Sequence, residues 1–222
     1  MIISIGPKEI STAVASLRNG QLIGLPTETV YGLAADATQD KAVASIFEAK
    51  GRPQFNPLII HSHSVEGLSE YTEFDERAHL LAEKFWPGPL TLVLPKKSDS
   101  DLSLLVSAGL DTVAVRIPQH PVALKLLHAY GKPLAAPSAN ISGQVSPTTA
   151  QHVEDAFGNQ LGCVLDGGSC QVGLESTIVD LTTDKAVILR PGGIPNEDLK
   201  ALLGDIHHYE GTEIRSPGMM KS

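Results

Sequence analysis

The chain is short of cysteine, with Cys163 and Cys170 the two in 222 residues. Two thiols are too few for a disulfide framework or a four-cysteine zinc site. Their spacing is also too wide for a thioredoxin-like pair. Long apolar runs are missing as well, since no stretch approaches the roughly 20 apolar residues of a membrane span. The opening MIISIGPKEI carries an early acid and no long apolar core, so it does not read as a secretory signal. A cytoplasmic protein with reduced thiols is the expectation. Basic residues are outnumbered, 17 Lys and Arg against 25 Asp and Glu, for a net charge of −8. Such a chain is a poor bulk binder of phosphate backbones, so any anion site has to be a local concentration of cations. Several phosphate and nucleophile motifs are absent too. There is no GxxxxGK[ST] loop, no GxGxxG after the first strand and no GxSxG elbow.

What is present is a packed core. Hydrophobic residues make up 42% of the chain, and a chain of this length buries roughly 70% of its unfolded surface. Helical periodicity runs over Ile10 to Leu17, Lys41 to Ala49, Asp75 to Phe85, Pro121 to Tyr130, Thr148 to Phe157 and Asn196 to Leu203. Strand patterns cover QLIGLP, Pro57 to His61, Leu90 to Leu94, Thr112 to Ile117 and Leu134 to Ala136. The segments CVLD, STIVDL and AVILR add late strands. The alternation is not in strict register, because the late strands cluster. This predicts an α/β sandwich built on a mixed sheet. After Leu203 the chain turns polar, and residues 206–222 read as a linker-like tail behind a folded domain at 1–205.

Candidate chemistry gathers at strand ends. In KGRPQFNPLIIH, the helix ending at Lys50 points its carbonyls at Lys50 and Arg52. One reading of the pair is a routine cationic helix cap; the other is an anion site. Arg116 sits among apolar neighbours in VAVRIP, and an unpaired arginine there would be costly to bury. Arg190 stands at a strand end before a glycine turn in VILRPGG. PTETVYG supplies Thr27 and Thr29; PSANISG supplies Ser138, Asn140 and Ser142; LESTIVD supplies Glu175, Ser176 and Thr177. Each cluster alone is ordinary turn chemistry. Together they give cations and neutral hydrogen-bonders suited to a polar, anionic small molecule. His61 and His63 could share a strand face, but no third metal ligand presents itself. His207 and His208 read as exposed tail residues.

The segments GLPTETVYGLAADA, KGRPQFNPLIIH, FWPGPLTLVL, GLDTVAVRIP, AAPSANISG and ESTIVD, followed by LRPGGI, occur in that order. From about Ile10 to Leu203 the chain resembles the YrdC/Sua5 family, the threonylcarbamoyl-AMP synthases. The resemblance implies a twisted mixed sheet flanked by helices, with an open concave cleft. It also implies a reaction: L-threonine, bicarbonate and ATP, with Mg²⁺, give threonylcarbamoyl-AMP and pyrophosphate. Partner proteins of the tRNA threonylcarbamoyltransferase complex then modify adenosine 37 of tRNA. Carried over by position, Lys50 and Arg52 become the catalytic cations. Lys50, Arg52, Asn56, Thr112, Ser138, Ser146 and Arg190 face ATP. Thr29, His61, Arg116, Ala136 and Ser176 face threonine. The fork of Arg116 suits a bidentate grip on the threonine carboxylate, and His61 is the one tunable candidate for a base. No protein-ligated metal is implied. RSPGMMKS resembles the start of the linker in a longer, two-domain branch, where a linker tyrosine helps cover the nucleotide. A different class remains open, a non-catalytic module that binds double-stranded RNA or tRNA weakly. The charge balance opposes it. A third reading, a carbamoyl-transfer domain, lacks the accompanying domains in this chain.

Overall fold

The computed structural model describes residues 1–4, 6–209 and 211. The RSPGMMKS segment lies outside the described residues. In chain order the elements are β1 (Ile2–Ile3), α1 (Pro7–Arg18), β2 (Leu22–Leu25), β3 (Gly32–Asp36), α2 (Asp40–Lys50), β4 (Ile59–His61), α3 (Val65–Ser69), α4 (Glu76–Phe85) and β5 (Leu90–Pro95). They continue with α5 (Leu104–Ser107), β6 (Thr112–Arg116), α6 (Pro121–Tyr130), β7 (Leu134–Ala135), α7 (Ala150–Phe157), β8 (Leu161–Leu165), β9 (Thr177–Asp180), β10 (Ala186–Arg190), α8 (Asn196–Leu203) and β11 (Ile206–His208). The strands form one mixed sheet in the order β1-β8-β2-β3-β7-β4-β6-β5-β9-β10-β11.

The helices form where sequence chemistry allows. Asp75 caps α4 by accepting from the Ala78 amide at 2.8 Å, and Thr149 caps α7 through the His152 amide. Gly51 ends α2 in the left-handed conformation at φ 58°, which a residue with a Cβ adopts only at a cost. That turn throws the chain back toward the sheet just where Lys50 and Arg52 stand.

Side chains alternate across a strand, and the register carries that alternation through the whole sheet. One face presents Leu33, Ala35, Ile60, Leu92, Val115, Ala135 and Val179 to the main core, which α2, α4 and α8 help to build. The opposite face presents Ile23, Leu25, Ala34 and Leu134, covered by Ile10, Ala13 and Leu17 of α1 and Val122, Leu126 and Leu127 of α6. Farther along that second face the pairings His61 with Leu134, His61 with Arg116, and Val93 with Ala114 keep the same sidedness. There the apolar cover shrinks to a small patch of Ile59, Val93, Ala114 and Ile178. His61 and Arg116 therefore emerge on the face where the large helical cover gives way.

The sheet is larger than expected. Strands β1, β3 and β11 and the short helices α3 and α5 were not anticipated. The β3 sequence GLAAD has small residues of weak strand preference. It pairs with β2 and β7 because all five residues are buried in the sheet. Strand β11 pairs in parallel with β10 and buries Ile206, so ordered sheet continues past residue 205. His207 and His208 belong to this strand and are exposed.

A polar clasp locks β3 to α6. Asp36, buried at the end of β3, accepts from the Tyr130 hydroxyl at 2.5 Å, Gln39 Nε2 at 2.9 Å, and the Thr38 hydroxyl and amide. Burial alone would raise the Asp36 pKa, but these donors outweigh it and hold it below the ordinary carboxylate value. A depressed carboxylate stabilises the fold above its unfolded pKa and loses that contribution as pH falls through its folded pKa. Tyr130→Phe removes the lead donor and leaves an oxygen short of a partner. Urea unfolding should show a loss of about 1.5–3 kcal/mol at pH 7, shrinking as the pH drops toward the folded pKa of Asp36.

Candidate active site

A cleft of about 540 Å³, counting its open mouth, lies on that second face. Its walls include Thr29, Arg52, His61, Arg116, Ala136, Ser138, Ser176 and Arg190, with Thr27, Gly32 and Glu175 among the others. The cleft thus brings together eight of the twelve residues that the family resemblance assigns to threonine or ATP, and Thr27 and Glu175 of the polar clusters besides. Lys50, Asn56, Thr112 and Ser146 are not among the walls. Thr112 opens β6 while Arg116 ends it, about 13 Å apart along an extended strand.

Arg116 sits opposite His61 in the parallel β4–β6 pair. Its side chain is buried and heavily engaged. Nη2 donates to Glu28 Oε1 at 2.6 Å and to Thr29 Oγ1 at 2.9 Å, and Nε donates to the Gly88 carbonyl at 3.2 Å. Glu28 is only 3% exposed, and its other oxygen accepts from the Gln119 amide at 3.0 Å. Glu28 was missed in the sequence, where a lone acid in PTETVYG reads as a turn residue. The pair alters the expectation for Arg116. Two of its three nitrogens are committed, and Nη1 alone has no hydrogen bond among the described residues, so the full fork is not free for a ligand.

His61 is 3% exposed, and its Nδ1 has no hydrogen-bond partner among the described residues. Burial, reinforced by the Arg116 charge, pushes its pKa down to about 3. A neutral imidazole with so low a pKa is a poor proton acceptor at pH 7. The role of general base therefore does not suit His61, whereas that of a neutral hydrogen-bonding partner does. An orphaned buried nitrogen on a cleft wall is the kind of group a polar ligand satisfies.

Lys50 departs further from its expected place. The side chain is 1% exposed, and its ammonium donates to the Ser138 carbonyl at 2.6 Å and to the Asn140 carbonyl. The Ser142 amide returns a bond to the Lys50 carbonyl. The helix thus ends by clamping the PSANISG loop rather than by lining the cleft. Burial and the neighbouring Arg52 pull the amine down to about 7. The two accepting carbonyls favour its charged form. Arg52 braces its own loop, donating to the carbonyls of Asn56 at 3.3 Å and Pro57 at 2.9 Å. Burial brings its pKa down to about 10, and it still lines the cleft.

On the far wall Arg190 donates through Nε and Nη2 to the Ser176 carbonyl, and through Nη2 to Ser176 Oγ at 3.1 Å. Nη1 pairs with Glu175. The turn after β10 presses on this segment. A Cβ at Gly192 would meet the Glu175 carbonyl and the Thr177 amide at 2.4 Å, so glycine is required there for the close approach. Ser176 Oγ also shares a hydrogen bond with the buried Thr91 hydroxyl at 2.7 Å.

The family model named for Sua5, YciO and YrdC, described as telomere recombination, matches residues 15–192. The threonylcarbamoyl-AMP synthase of Pyrococcus abyssi is 52% identical over 218 residues, covering 95% of this chain and 64% of that protein. The Bacillus subtilis protein of the same name is 46% identical over 223 residues, covering 98% of this chain and 64% of that protein. The chain thus spans just under two thirds of the length of these relatives. The crystal structure of P. abyssi Sua5 complexed with L-threonine superposes with a TM-score of 0.95 at 47% identity, covering 100% of this chain and 68% of that one.

The depressed imidazole has a consequence for stability. The unfolded chain takes up a proton at His61 near the ordinary pKa of 6.5, and the folded chain does not until about pH 3. Stability is therefore lost as pH falls through that window, by about 1.4 kcal/mol per pH unit from this group. In urea melts between pH 6.5 and 4.5, His61→Gln should show a shallower decline by about that slope. Equal slopes would mean that the folded protein protonates His61 as readily as the unfolded one.

Proposed function

The chain belongs to the Sua5/YciO/YrdC family, and on that footing we propose that it is a threonylcarbamoyl-AMP synthase. It would join L-threonine, bicarbonate and ATP into threonylcarbamoyl-AMP and pyrophosphate. The observation that carries this reading is the juxtaposition within one cleft. His61, Arg116, Ser176 and Thr29 form an end of hydrogen-bonders with a single free guanidinium nitrogen, which suits an amino acid. Ser138, Arg52 and Arg190 form an adjoining end, which suits phosphates.

In this reading threonine lies against β4 and β6. Its carboxylate takes the remaining Nη1 of Arg116, and its polar groups take the unpartnered Nδ1 of His61. The amine condenses with bicarbonate, losing water, to give N-carboxy-threonine. An oxygen of that new carboxylate attacks the α-phosphorus of ATP, and the bond to the pyrophosphate oxygen breaks. Arg52 and Arg190 neutralise charge as it builds on the leaving pyrophosphate, by fixed positioning rather than by proton transfer. Lys50 contributes from behind, by holding the loop that carries Ser138. Asn56, Thr112 and Ser146 remain assigned to the nucleotide on the family resemblance alone.

Among the described residues no three His, Cys, Asp or Glu side chains gather to hold a metal, and Glu175 is the one carboxylate on the cleft wall. That donor set fits Mg²⁺ as a companion of the triphosphate, supplying further charge neutralisation while keeping its waters. The product would pass to proteins that transfer the threonylcarbamoyl group to tRNA. An RNA-binding module is disfavoured by the net charge of −8. No helix among the described residues is long and apolar enough to cross a membrane.

The test is pyrophosphate release from ATP. It should require threonine and bicarbonate together, and release indifferent to threonine would overturn the reading. In the same assay Arg116→Lys should raise the threonine KM far more than the ATP KM. A point charge keeps neither the Nη1 contact nor the Glu28 and Thr29 bonds that aim it. The loss should be about 1.5–3 kcal/mol, or roughly tenfold to a hundredfold. An unchanged threonine KM would remove Arg116 from the amino-acid end.

A further inference from the structure

The cleft holds a carboxylate that the reaction above does not use. Glu175, just ahead of β9, accepts from the Ser146 hydroxyl through Oε1 at 3.0 Å and pairs with Arg190 Nη1 through Oε2. Ser146 and Arg190 are both residues that the family resemblance assigns to ATP. They come from separate loops and meet on this one side chain. The Glu175 charge also favours the protonated forms of Lys50 and Arg52, so three cations feel it. Two oxygens on one planar anion, each taking a donor meant for a phosphate, reproduce part of what a phosphate would do there.

Its exposure sets it apart from Glu28. The Glu28 side chain is 3% exposed and has both oxygens engaged, one by Arg116 and the other by the Gln119 amide. Glu175 is 34% exposed on the solvent side of Arg190, which is 17% exposed. Arg190 does not depend on Glu175 for its position, because Nε and Nη2 are anchored on Ser176. If Glu175 rotates away, Arg190 stays in place with Nη1 uncovered.

We propose that Glu175 is a displaceable stand-in for a phosphate group, holding Arg190 and Ser146 while the cleft is empty and turning outward when a polyphosphate takes its place. The inference rests on the nucleotide-using reading of this cleft. The physical consequence is selectivity. An anion that reaches Arg190 and Ser146 alone exchanges one anion for another and gains little. A pyrophosphate or triphosphate that also reaches Arg52 gains a contact that Glu175 does not replace. The returning carboxylate would also help to expel pyrophosphate after the reaction.

The experiment is calorimetric titration of inorganic phosphate and of pyrophosphate into the unaltered chain and into Glu175→Gln, first with EDTA and then with Mg²⁺. Glutamine keeps the shape and removes the charge. In EDTA, Glu175→Gln should bind pyrophosphate about tenfold more tightly, the scale of one charged hydrogen bond no longer opposed. It should also bind phosphate where the unaltered chain does not. Glu175→Asp, too short to span Ser146 and Arg190 together, should fall between the two and serves if the glutamine variant fails to fold. Equal or weaker pyrophosphate binding by the variants in EDTA overturns the inference. So does a loss of binding confined to Mg²⁺, which would make Glu175 a metal-bridging group. Pyrophosphate release by the unaltered chain tests the reaction separately, because the titrations contain neither threonine nor ATP.

Discussion

Cations that share a poorly solvated cleft repel one another, and leaving any of them unanswered there costs several kcal/mol. Arg52, Arg116 and Arg190 on its walls, and Lys50 buried behind them, meet under that constraint, and each is answered differently. Lys50 spends its charge on the carbonyls of Ser138 and Asn140. Arg52 turns to the carbonyls of its own loop. Arg116 takes Glu28, and Arg190 takes Glu175 and the Ser176 carbonyl. Most of these answers are distant in sequence, so satisfying the charges also ties the walls of the cleft together. The end of α2 is fastened to the loop after β7, the end of β6 to the loop between β2 and β3, and the end of β10 to the start of β9.

The sheet decides where this can happen. Its main-core face is closed by α2, α4 and α8 over Leu and Val side chains. On the other face α1 and α6 cover β2, β3, β7 and β8, and the strands β4, β6, β5 and β9 beyond them carry a much smaller apolar patch. The period-two alternation then has a chemical outcome. The same step along β6 that sends Val113 and Val115 to the core sends Ala114 and Arg116 to the open face, and β4 does the same with Ile60 against Ile59 and His61.

Much of this was legible in the sequence. The apolar runs of β4, β5 and β6 and the capped helices have strong local signals, and the polar clusters at their ends mark the cleft. What escaped detection lacked a local signal. GLAAD is a strand because of what it pairs with, not because of its own residues. Ile206–His208 is a polar-looking triplet rescued by one buried isoleucine. Glu28 could not be matched to Arg116 by any spacing rule, since the pairing crosses 88 positions of chain. Lys50 was found but misplaced. Its sequence position fixes the helix end it belongs to, whereas the direction of a long flexible ammonium is settled by which carbonyls lie within its reach.

The two ion pairs divide the cleft electrostatically. At the Arg116 end the compensating carboxylate is buried and doubly held, so that end stays close to neutral and presents one guanidinium nitrogen, a neutral imidazole and hydroxyls. Such an end would suit a zwitterion through the geometry of its hydrogen bonds, because it has little net charge to offer. At the Arg190 end the compensating carboxylate is partly exposed and reaches its partners from the solvent side. Arg52, answered only by carbonyls among the described residues, already leaves net positive charge there, and a second positive charge is uncovered when a strongly anionic ligand draws Glu175 away. The two kinds of substrate that the cleft would join are thus met by two kinds of counter-charge, one fixed and one displaceable.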